Sequence, residues 1–389
     1  MSDKTWRFAA NERLYVDETL STAFSAGSSG TMNERLEMSF AKKHGSSYAI
    51  TANSGTSTLH MALHAFDIGP GDEVVIPALT VGMCGFAVCH SGATPVYADV
   101  CKDTFLMDPL DIEKKITPKT KAIMPVHIYG LMCDMTAIER IAKKHHLFIL
   151  EDCAQCFLGS DSRGRLAGTI GHVGSWSFEN SKHMSTGDGG IVVTDDEMLA
   201  KKMRQFGGVG FKNLTATSGK VRIDRDKFQN PAWTRHHIIG YNYRLPELCA
   251  AVGLAQLEKL DTFVQLRQEM GKGYLHVIDS SNNNILIPQL VPSGFTHAYY
   301  TFGARFNGAA YGIDWATFRK KYVELGGDGI YAAWKTVNKE PAFENIGWGD
   351  VPIAEQLQTE LMQFTTNQAD ANERDIQLQA LKQTLSYFS

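Results

Sequence analysis

A single lysine, Lys182, lies between two apolar runs and beside a glycine-rich turn. The runs are residues 172–178 and 191–194, and the turn ends at Gly190. Such runs predict buried strands, and a lysine held between buried strands is an unusual choice for a solvated surface. Burial favours the neutral amine, which can attack a carbonyl and form a Schiff base. The position therefore indicates a nucleophilic lysine, although a lysine in a turn is also compatible with a plain surface residue.

A second candidate group follows the apolar run 147–150. Glu151 and Asp152 come at the carboxyl end of this predicted strand, where open α/β sheets bind their ligands. Asp152 is the better candidate for a buried anion that faces a cationic ring. Cys153 and Cys156 have the spacing of a redox or zinc motif, but no second Cys or His pair with matching spacing accompanies them. The sequence therefore predicts no metal site.

A hydroxyl-rich turn after the apolar run 48–52 is a candidate anion site. Ser54-Gly-Thr-Ser57 separates that run from a helical pattern. Free backbone N–H groups at the start of a helix, beside the hydroxyls of Thr56 and Ser57, suit a phosphate. An ordinary Ser or Asn helix cap would explain the same residues.

The elements that must position these groups are short apolar strands that alternate with helices. Strands are predicted at residues 73–77, 94–98, 121–126 and 147–150. Asp134 is the expected cap of the helix before the last of them. Such alternation predicts an α/β domain around a mainly parallel sheet. We place this large domain, with an N-terminal arm and helix, at residues 1–262, and a smaller α+β domain at residues 263–389.

The second half of the chain is less regular. From Lys201 to Thr234 we expect irregular structure, either a flap over a site or a solvated insertion. Its basic residues, which would suit an anionic substrate, are Lys212, Lys220, Arg222, Arg225 and Lys227. Beyond it the pattern predicts a helix from 248 through about 275, a strand at 299–305, and helices near 315–325, 354–364 and 373–385.

Composition narrows the class of protein. The 389 residues are 43% hydrophobic, which is enough for a large core and more than one domain. A net charge of −4 with interspersed signs gives no indication of a nucleic-acid partner. No apolar run approaches the roughly 18 residues of a membrane span, and the first residues lack a signal-peptide pattern. Seven cysteines suit a reducing compartment, so we expect a cytoplasmic enzyme.

Four segments, in this order and spacing, together resemble the DegT and StrS group of sugar aminotransferases, which depend on pyridoxal 5'-phosphate (PLP). They are Ser54-Gly-Thr-Ser57, Glu151-Asp-Cys-Ala-Gln155, the stretch from Ser177 through Lys182 to Gly190, and Gly240-Tyr-Asn-Tyr-Arg244. The resemblance runs from about residue 10 to 385 and implies the aspartate aminotransferase-like α/β fold, fold type I. That fold has a mixed, mainly parallel sheet and a smaller α+β C-terminal domain. The resemblance also implies a homodimer that shares its active sites.

The resemblance implies roles for three residues around the cofactor ring. Lys182 would hold PLP as a Schiff base and then carry the proton between substrate and cofactor carbons. Asp152 would pair with the pyridine nitrogen, which keeps the ring protonated and able to accept electrons. Gln155 would lie against the ring near its phenolic oxygen.

The resemblance also implies four phosphate ligands. Gly55, Thr56 and Ser177 would bind the cofactor phosphate from one chain, and Asn242 would reach it from the neighbouring subunit. Backbone N–H groups and hydroxyls are neutral donors suited to a phosphate.

Two departures from the family pattern bear on the substrate. Val81 follows Pro77-Ala-Leu-Thr80, where the family usually has an aromatic residue that stacks on the ring. Residues 329–336, Gly-Ile-Tyr-Ala-Ala-Trp-Lys-Thr, replace a His-Tyr-x-Pro stretch found in members that act on nucleotide-linked sugars. We therefore expect the acceptor to be a keto sugar without a nucleotide, such as a keto-sugar acid. The resemblance implies L-glutamate as the donor and 8-oxo-3-deoxy-octulosonate as one such acid, for surface polysaccharide or lipopolysaccharide biosynthesis.

Alternative functions differ in what they require of the sequence. The first is transfer to a nucleotide-linked keto-deoxysugar. A PLP-dependent sugar dehydratase would have a histidine in place of Lys182, and His183 is not in register for that role. A PLP protein without turnover would be expected to lack Lys182 or Asp152. A nicotinamide dehydrogenase would need a Gly-x-Gly-x-x-Gly turn after the first strand, which is missing.

Overall fold

The computed structural model describes residues 5–26, 30–219 and 224–389 of the chain. Within these ranges the α-helices are α1 (Ala10–Ser21), α2 (Met32–His44), α3 (Gly55–Ala65), α4 (Met83–His90), α5 (Pro109–Lys115), α6 (Met135–His145), α7 (Glu197–Gly207), α8 (Arg225–Gln229), α9 (Glu247–Glu258), α10 (Leu260–Asp279), α11 (Trp315–Glu324), α12 (Pro352–Glu360) and α13 (Ala371–Phe388). The strands are β1 (Tyr48–Ala52), β2 (Glu73–Pro77), β3 (Thr94–Ala98), β4 (Thr120–Ile123), β5 (Phe148–Asp152), β6 (Val173–Ser177), β7 (Gly190–Thr194), β8 (Leu286–Pro288), β9 (Phe302–Phe306), β10 (Ile330–Ala332) and β11 (Leu361–Phe364).

The larger sheet has seven strands in the order β1-β7-β6-β5-β4-β2-β3. Strands β2 to β6 pair in parallel, and β7 runs antiparallel to both β6 and β1. All five residues of β2 and of β7 are buried, as expected for strands that are covered on both faces. The predicted α/β fold with a mixed, mainly parallel sheet is confirmed.

Helices in this domain begin and end at residue types that favour helix caps. The Asp134 side chain accepts a hydrogen bond from Ala137 N–H and caps α6, as predicted. Gly45 ends α2 with a φ of 68°, a left-handed conformation that glycine adopts without steric cost. Before α2 the structure has a 3₁₀ turn at Thr5–Arg7 and the helix α1, so the expected arm is itself largely helical.

The smaller sheet is fully antiparallel, in the order β10-β11-β9-β8. It packs with α11 and α13 around a hydrophobic cluster of its own. Helix α10 contributes Leu260 and Val264 to the large cluster, and Met270 and Tyr274 to the small one. The smaller α+β unit is therefore present, while the boundary at residues 262 and 263 stays a prediction.

Three of the expected elements differ in the structure. Residues 201–207, expected to be irregular, complete the helix α7, because Asp196 caps it and its apolar face packs against α3. The helix expected from 248 to about 275 is broken at Lys259 into α9 and α10. Residues 361–364, expected as the end of a helix, form β11 because they pair with both β9 and β10.

The strand expected at 299–305 begins only at Phe302, and Tyr299 before it has a φ of 47°. Among the basic residues of the expected flap, Lys220 and Arg222 lie outside the described residues, as does the side chain of Arg225. In the described ranges, no helix has both the length and the apolar character needed to cross a membrane.

Candidate active site

A cavity of about 550 Å³ lies at the carboxyl ends of β5 and β6. This volume is within the usual range of small-molecule sites, roughly 300–1,000 Å³. The candidate residues that line it are Gly55, Thr56, Asp152, Gln155, Ser177 and Lys182. The fold thus brings six of the seven predicted site residues into one cavity.

Asp152, the last residue of β5, is a buried carboxylate with neutral donors only. Its Oδ1 accepts a hydrogen bond from Ala154 N–H (2.9 Å), and its Oδ2 accepts one from the Cys84 thiol (3.2 Å). Burial and the charge of Asp152 raise the pKa of the Cys84 thiol well above its ordinary value, so the thiol stays protonated and donates. Within the described residues no cation forms an ion pair with Asp152, which is 4% exposed. A buried anion without a countercharge is costly, and a cationic ring nitrogen in the cavity would remove that cost.

Gln155 presents an amide nitrogen to the cavity. Its Oε1 accepts a hydrogen bond from Tyr129 N–H at 2.8 Å, which assigns the side-chain orientation. Tyr129 has a φ of 63°, so this hydrogen bond stabilises an uncommon backbone conformation. The Gln155 NH₂ group is then available to donate to an oxygen on a bound ring.

The start of α3 and the end of β6 form one wall of the cavity. Ser54 caps the helix by accepting a hydrogen bond from Ser57 N–H (3.1 Å). The N–H groups of Gly55 and Thr56 have no acceptor inside the helix, because first-turn amides never do. A Cβ at Gly55 would lie 2.8 Å from the Ser177 Cβ, so only glycine lets the helix start approach Ser177 this closely. This cluster of N–H and hydroxyl donors fits a phosphate.

The turn that carries Lys182 is held by two buried arginines. Arg7 donates hydrogen bonds to the carbonyls of residues 180, 182 and 183, at 3.1, 2.7 and 2.9 Å. Arg267 donates to the carbonyl of Ser181 at 3.0 Å. Burial lowers the pKa of Arg7 to about 10, which leaves its guanidinium charged at neutral pH. Four successive carbonyls are thereby fixed by charged donors, which determines where the Lys182 side chain begins.

Three side chains beside Lys182 form a hydrogen-bonded chain. The Ser181 hydroxyl lies 2.5 Å from Glu179 Oε2 and 2.7 Å from the Tyr300 hydroxyl. The Lys182 Nζ lies 4.5 Å from the centre of the Tyr300 ring. All four residues line the cavity.

These neighbours of Lys182 are difficult to predict from the sequence. Arg7 and Tyr300 come from segments far from Lys182 in the chain, without a local pattern. Arg267 did carry a signal, since it lies three residues after Val264 and three before Met270, a spacing that places a charge on the apolar face of α10.

His183, the neighbour of Lys182, is turned away from the cavity. It is 1% exposed, and its Nε2 is 2.9 Å from the carbonyl oxygen of Ala298. Burial and the charge of Arg267 lower its pKa well below the ordinary value, so the ring is neutral. A histidine in this position does not replace the lysine.

Glu151 belongs to a separate, fully buried cluster. It accepts hydrogen bonds from His127 Nε2 (3.0 Å) and from the N–H groups of Gly168, Ile170 and Gly171 (2.8, 2.8 and 2.5 Å). Among the described residues, a grouping able to hold a metal ion consists of His127, Glu151 and Cys153. Its carboxylate lone pairs are already occupied by four donors, and His127 Nδ1 accepts from Cys133 N–H. The cluster therefore stabilises the fold.

Val81 and Trp334, which mark the two departures from the family pattern, both line the cavity. Val81 is flanked there by Leu79 and Met83, so this part of the wall is aliphatic. Trp334 is 58% exposed at the mouth. The aromatic side chains that the described chain supplies to the cavity are Tyr129, Tyr300 and Trp334.

Asn242 is the predicted residue that this chain does not bring to the cavity. It is exposed and lines a different cavity of about 630 Å³, together with Arg204, Arg244 and Glu247. Its carbonyl oxygen accepts a hydrogen bond from Asn53 Nδ2 at 3.4 Å. A phosphate contact from Asn242 to the neighbouring subunit stays a prediction.

Residues 8–369 match the DegT/DnrJ/EryC1/StrS aminotransferase family, and the chain belongs to this family. Its members are PLP-dependent aminotransferases.

Named relatives and a solved structure cover most of the chain. A GDP-perosamine synthase of Caulobacter vibrioides is 34% identical over 97% of this chain and 96% of its own. Another GDP-perosamine synthase, from Escherichia coli O157:H7, is 40% identical over 69% of each chain. The X-ray structure of an aminotransferase from Psychrobacter cryohalolentis, 30% identical, covers 98% of both chains with a TM-score of 0.88.

Proposed function

We propose that this enzyme binds PLP through Lys182 and transfers the amino group of L-glutamate to a nucleotide-linked keto sugar. One observation supports this more than any other. The buried carboxylate of Asp152, which has no cationic partner in the part of the chain that the structure describes, lies in the same cavity as Lys182 and the amide-rich start of α3. A ligand with a cationic ring, a carbonyl and a phosphate would satisfy all three.

Each residue would contribute a defined chemical property. PLP supplies a carbonyl carbon that exchanges amines and a ring that accepts an electron pair. Lys182 Nζ is the base that removes the proton from the amine-bearing carbon of the donor and returns it during transfer. Asp152 keeps a negative charge beside the ring nitrogen, and Gln155 donates from its amide nitrogen. Gly55, Thr56 and Ser177 bind the phosphate.

The names of the relatives decide which acceptor we propose. Both relatives described above are named for a GDP-linked amino sugar. They favour a nucleotide-linked keto sugar over the free keto-sugar acid expected from the altered stretch 329–336. That stretch places Trp334 at the mouth of the cavity, where it would contact the acceptor.

A second copy of the chain would complete the site. Within the described lining, Lys182 is the single cation, yet glutamate brings two carboxylates and a nucleotide brings phosphates. Asn242 and Arg244 are exposed on the same chain, outside its own cavity. We propose a homodimer in which these residues enter the partner's site.

The test separates the two halves of the reaction. Purified protein is mixed with PLP and its visible absorbance is recorded before and after L-glutamate is added. We expect a visible band that glutamate bleaches, with release of 2-oxoglutarate. A band that glutamate leaves unchanged would contradict glutamate as the donor, and no band would contradict the role of Lys182.

The acceptor is identified by running the transfer backwards. GDP-perosamine and 2-oxoglutarate are supplied, and glutamate formation is measured. In parallel, 8-oxo-3-deoxy-octulosonate and glutamate are supplied, and 2-oxoglutarate is measured. Turnover with the octulosonate alone would overturn the nucleotide-linked proposal, whereas loss of a sugar hydroxyl without net amine transfer would indicate a dehydratase.

A further inference from the structure

The Lys182 ammonium has an aromatic ring as its neighbour where a carboxylate would be the usual partner. Its Nζ lies 4.5 Å from the centre of the Tyr300 ring, within the range of a cation–π contact. In the described residues no acceptor within hydrogen-bond distance and no ion pair is found for Nζ, although Glu179 is three residues away and accepts from Ser181. A ring attracts the ammonium without offering a base that would take its proton.

The Glu179 carboxylate is the final acceptor of the hydrogen-bonded chain that runs from Tyr300 through Ser181. A carboxylate can only accept, so Ser181 must donate its proton to Glu179. The Ser181 oxygen is then the acceptor for the Tyr300 hydroxyl. The direction of the chain is fixed, and it holds the phenol ring in one orientation.

The backbone at Tyr300 is also held in place by hydrogen bonds and close packing. Arg267 donates to the Tyr300 carbonyl (2.7 Å) and to the Ser181 carbonyl (3.0 Å), so one guanidinium joins the ring to the lysine turn. Tyr299 has a φ of 47°, a strained conformation for this residue type. A Cβ at Gly130 would lie 2.6 Å from Tyr299 N and 2.9 Å from Tyr300 N, so a glycine is needed beside them. The strained backbone at Tyr299 and the close approach of Gly130 together determine the position of the Tyr300 ring.

We propose that the ring face of Tyr300 binds the Lys182 ammonium whenever that side chain is not bonded to the cofactor. Tyr300 is then a positioning residue, which keeps the amine close to the reacting carbon between proton transfers. The part of this inference that concerns catalysis rests on the proposed function. The contact between ring and amine is a property of the cofactor-free protein and is tested there.

The first experiment measures the reactivity of Lys182 in protein freed of PLP by dialysis against hydroxylamine. Trace acetic anhydride labels the lysines, and peptide mass spectrometry gives the labelling of Lys182 relative to Lys339. We expect Tyr300→Leu to raise Lys182 labelling about three- to tenfold, since loss of a cation–π contact frees the amine. Tyr300→Phe keeps the ring and should stay within about twofold of wild type.

The surface offers a matched control. Lys321 Nζ lies 4.3 Å from the centre of the Tyr387 ring, but it also pairs with Glu324 at 2.9 Å, and Tyr387 is 64% exposed. Tyr387→Leu should change the labelling of neither Lys321 nor Lys182 by more than about twofold. Unchanged Lys182 labelling in Tyr300→Leu overturns the proposal, and so does an equal rise in Tyr300→Phe.

A second measurement needs no disruptive variant. Lysines of the cofactor-free wild type are dimethylated with ¹³C-formaldehyde and a borohydride reductant, and the Lys182 resonance is assigned by its loss in Lys182→Arg. Methyl groups over a ring face are shielded, so we expect an upfield shift that Tyr300→Phe preserves. A Lys182 resonance at the position of exposed lysines would overturn the proposal. Neither measurement uses a donor or acceptor, so failure of the proposed reaction would not affect them.

Discussion

Two carboxylates side by side at the end of β5 lie in opposite surroundings. Successive side chains of a strand point to opposite faces of the sheet, so Glu151 and Asp152 diverge. Glu151 points into a core where His127 and three backbone amides surround it. Asp152 points into the cavity and has two neutral donors. Among the described residues Glu151 accepts four hydrogen bonds and Asp152 accepts two, so Asp152 keeps lone pairs that a ligand could use.

The difference shows how a fold can supply both stability and chemistry from adjacent residues. A carboxylate that accepts four hydrogen bonds is stabilised by its surroundings and unavailable to a ligand. A carboxylate with only two neutral donors is less well stabilised and keeps lone pairs for a ligand, so it costs stability until a cation arrives. The core side of β5 should therefore respond to mutation through stability, and the cavity side through activity.

Lys182→Ala tests the cavity side most severely. Loss of the amine should abolish the visible band with PLP and lower glutamate-dependent transfer by about 10³-fold or more. The side chain is half-exposed, so the free energy of unfolding should change by no more than about 0.5 kcal/mol. Absorbance, 2-oxoglutarate release and urea unfolding check the three statements. Retained turnover would show that another residue does the chemistry.

Asp152→Asn removes the charge while keeping the shape. A nearby opposite charge shifts a pKa by about 1–3 units, so loss of the anion should lower the transfer rate about 10- to 10³-fold. The cofactor-free variant should be at least as stable as wild type, because an unpaired buried charge is gone. Steady-state rates and urea unfolding give both numbers. A variant that is much less stable would place Asp152 in the same class as Glu151.

Glu151→Gln makes the same change on the core side, and the expected response is reversed. The glutamine nitrogen would face donors, so the free energy of unfolding should fall by about 3 kcal/mol. The folded fraction should keep a transfer rate within a few-fold of wild type. Urea unfolding measures the loss of stability, and the transfer rate per folded molecule shows whether activity is retained. Full stability with lost activity would break the comparison between the two carboxylates.

Gly55→Ala tests the phosphate end of the cavity. The new methyl group would meet the Ser177 Cβ at 2.8 Å, so the start of α3 must move. We expect PLP affinity to fall about tenfold, or about 1.4 kcal/mol, measured by fluorescence titration. The double variant with Ser177→Gly relieves the contact and should recover thermal stability but not affinity. Unchanged affinity in the single variant would remove this cluster from the cofactor site.

The smallest expected effect is the contribution of Glu151 to the pH dependence of the free energy of unfolding. Burial alone would raise the pKa of Glu151, but hydrogen bonds from His127 and from backbone amides outweigh it and lower the pKa below 4.5. A depressed carboxyl pKa stabilises the folded state above the unfolded-state value, and that contribution is lost as pH falls through the folded-state value. The difference in unfolding free energy between wild type and Glu151→Gln should therefore shrink below about pH 4.5. A constant difference would mean that Glu151 does not titrate differently on folding.

Sequence patterns predicted those parts of the molecule that local forces determine. Strands β2 and β3 were predicted with the observed bounds because a continuous apolar run suits a strand buried on both faces. Asp134 was recognised as a cap because its side chain bonds to an amide three residues away. Strand ends and the family resemblance also selected seven candidate site residues, and six of them line one cavity, while their contacts with a cofactor stay predictions.

The remaining features depend on partners distant in the chain. Residues 361–364 have a helical pattern and become a strand because β9 and β10 flank them. Tyr300 has no local signal of a role, since its proposed role depends on contacts with Ser181 and Lys182, more than a hundred residues earlier. Lys259 breaks the long helix without a glycine or proline to indicate the break.

The contacts of Arg7 limit when the N-terminal arm can dock onto the rest of the chain. It is translated about 170 residues before the turn whose carbonyls it holds. Its own carbonyl is held by Gln256 and Lys259, both 2.8 Å away and later still in the chain. These contacts cannot form before residues 256 and 259 have been synthesised, so during translation the arm waits for more than 240 further residues before it can hold the turn of Lys182 from both sides.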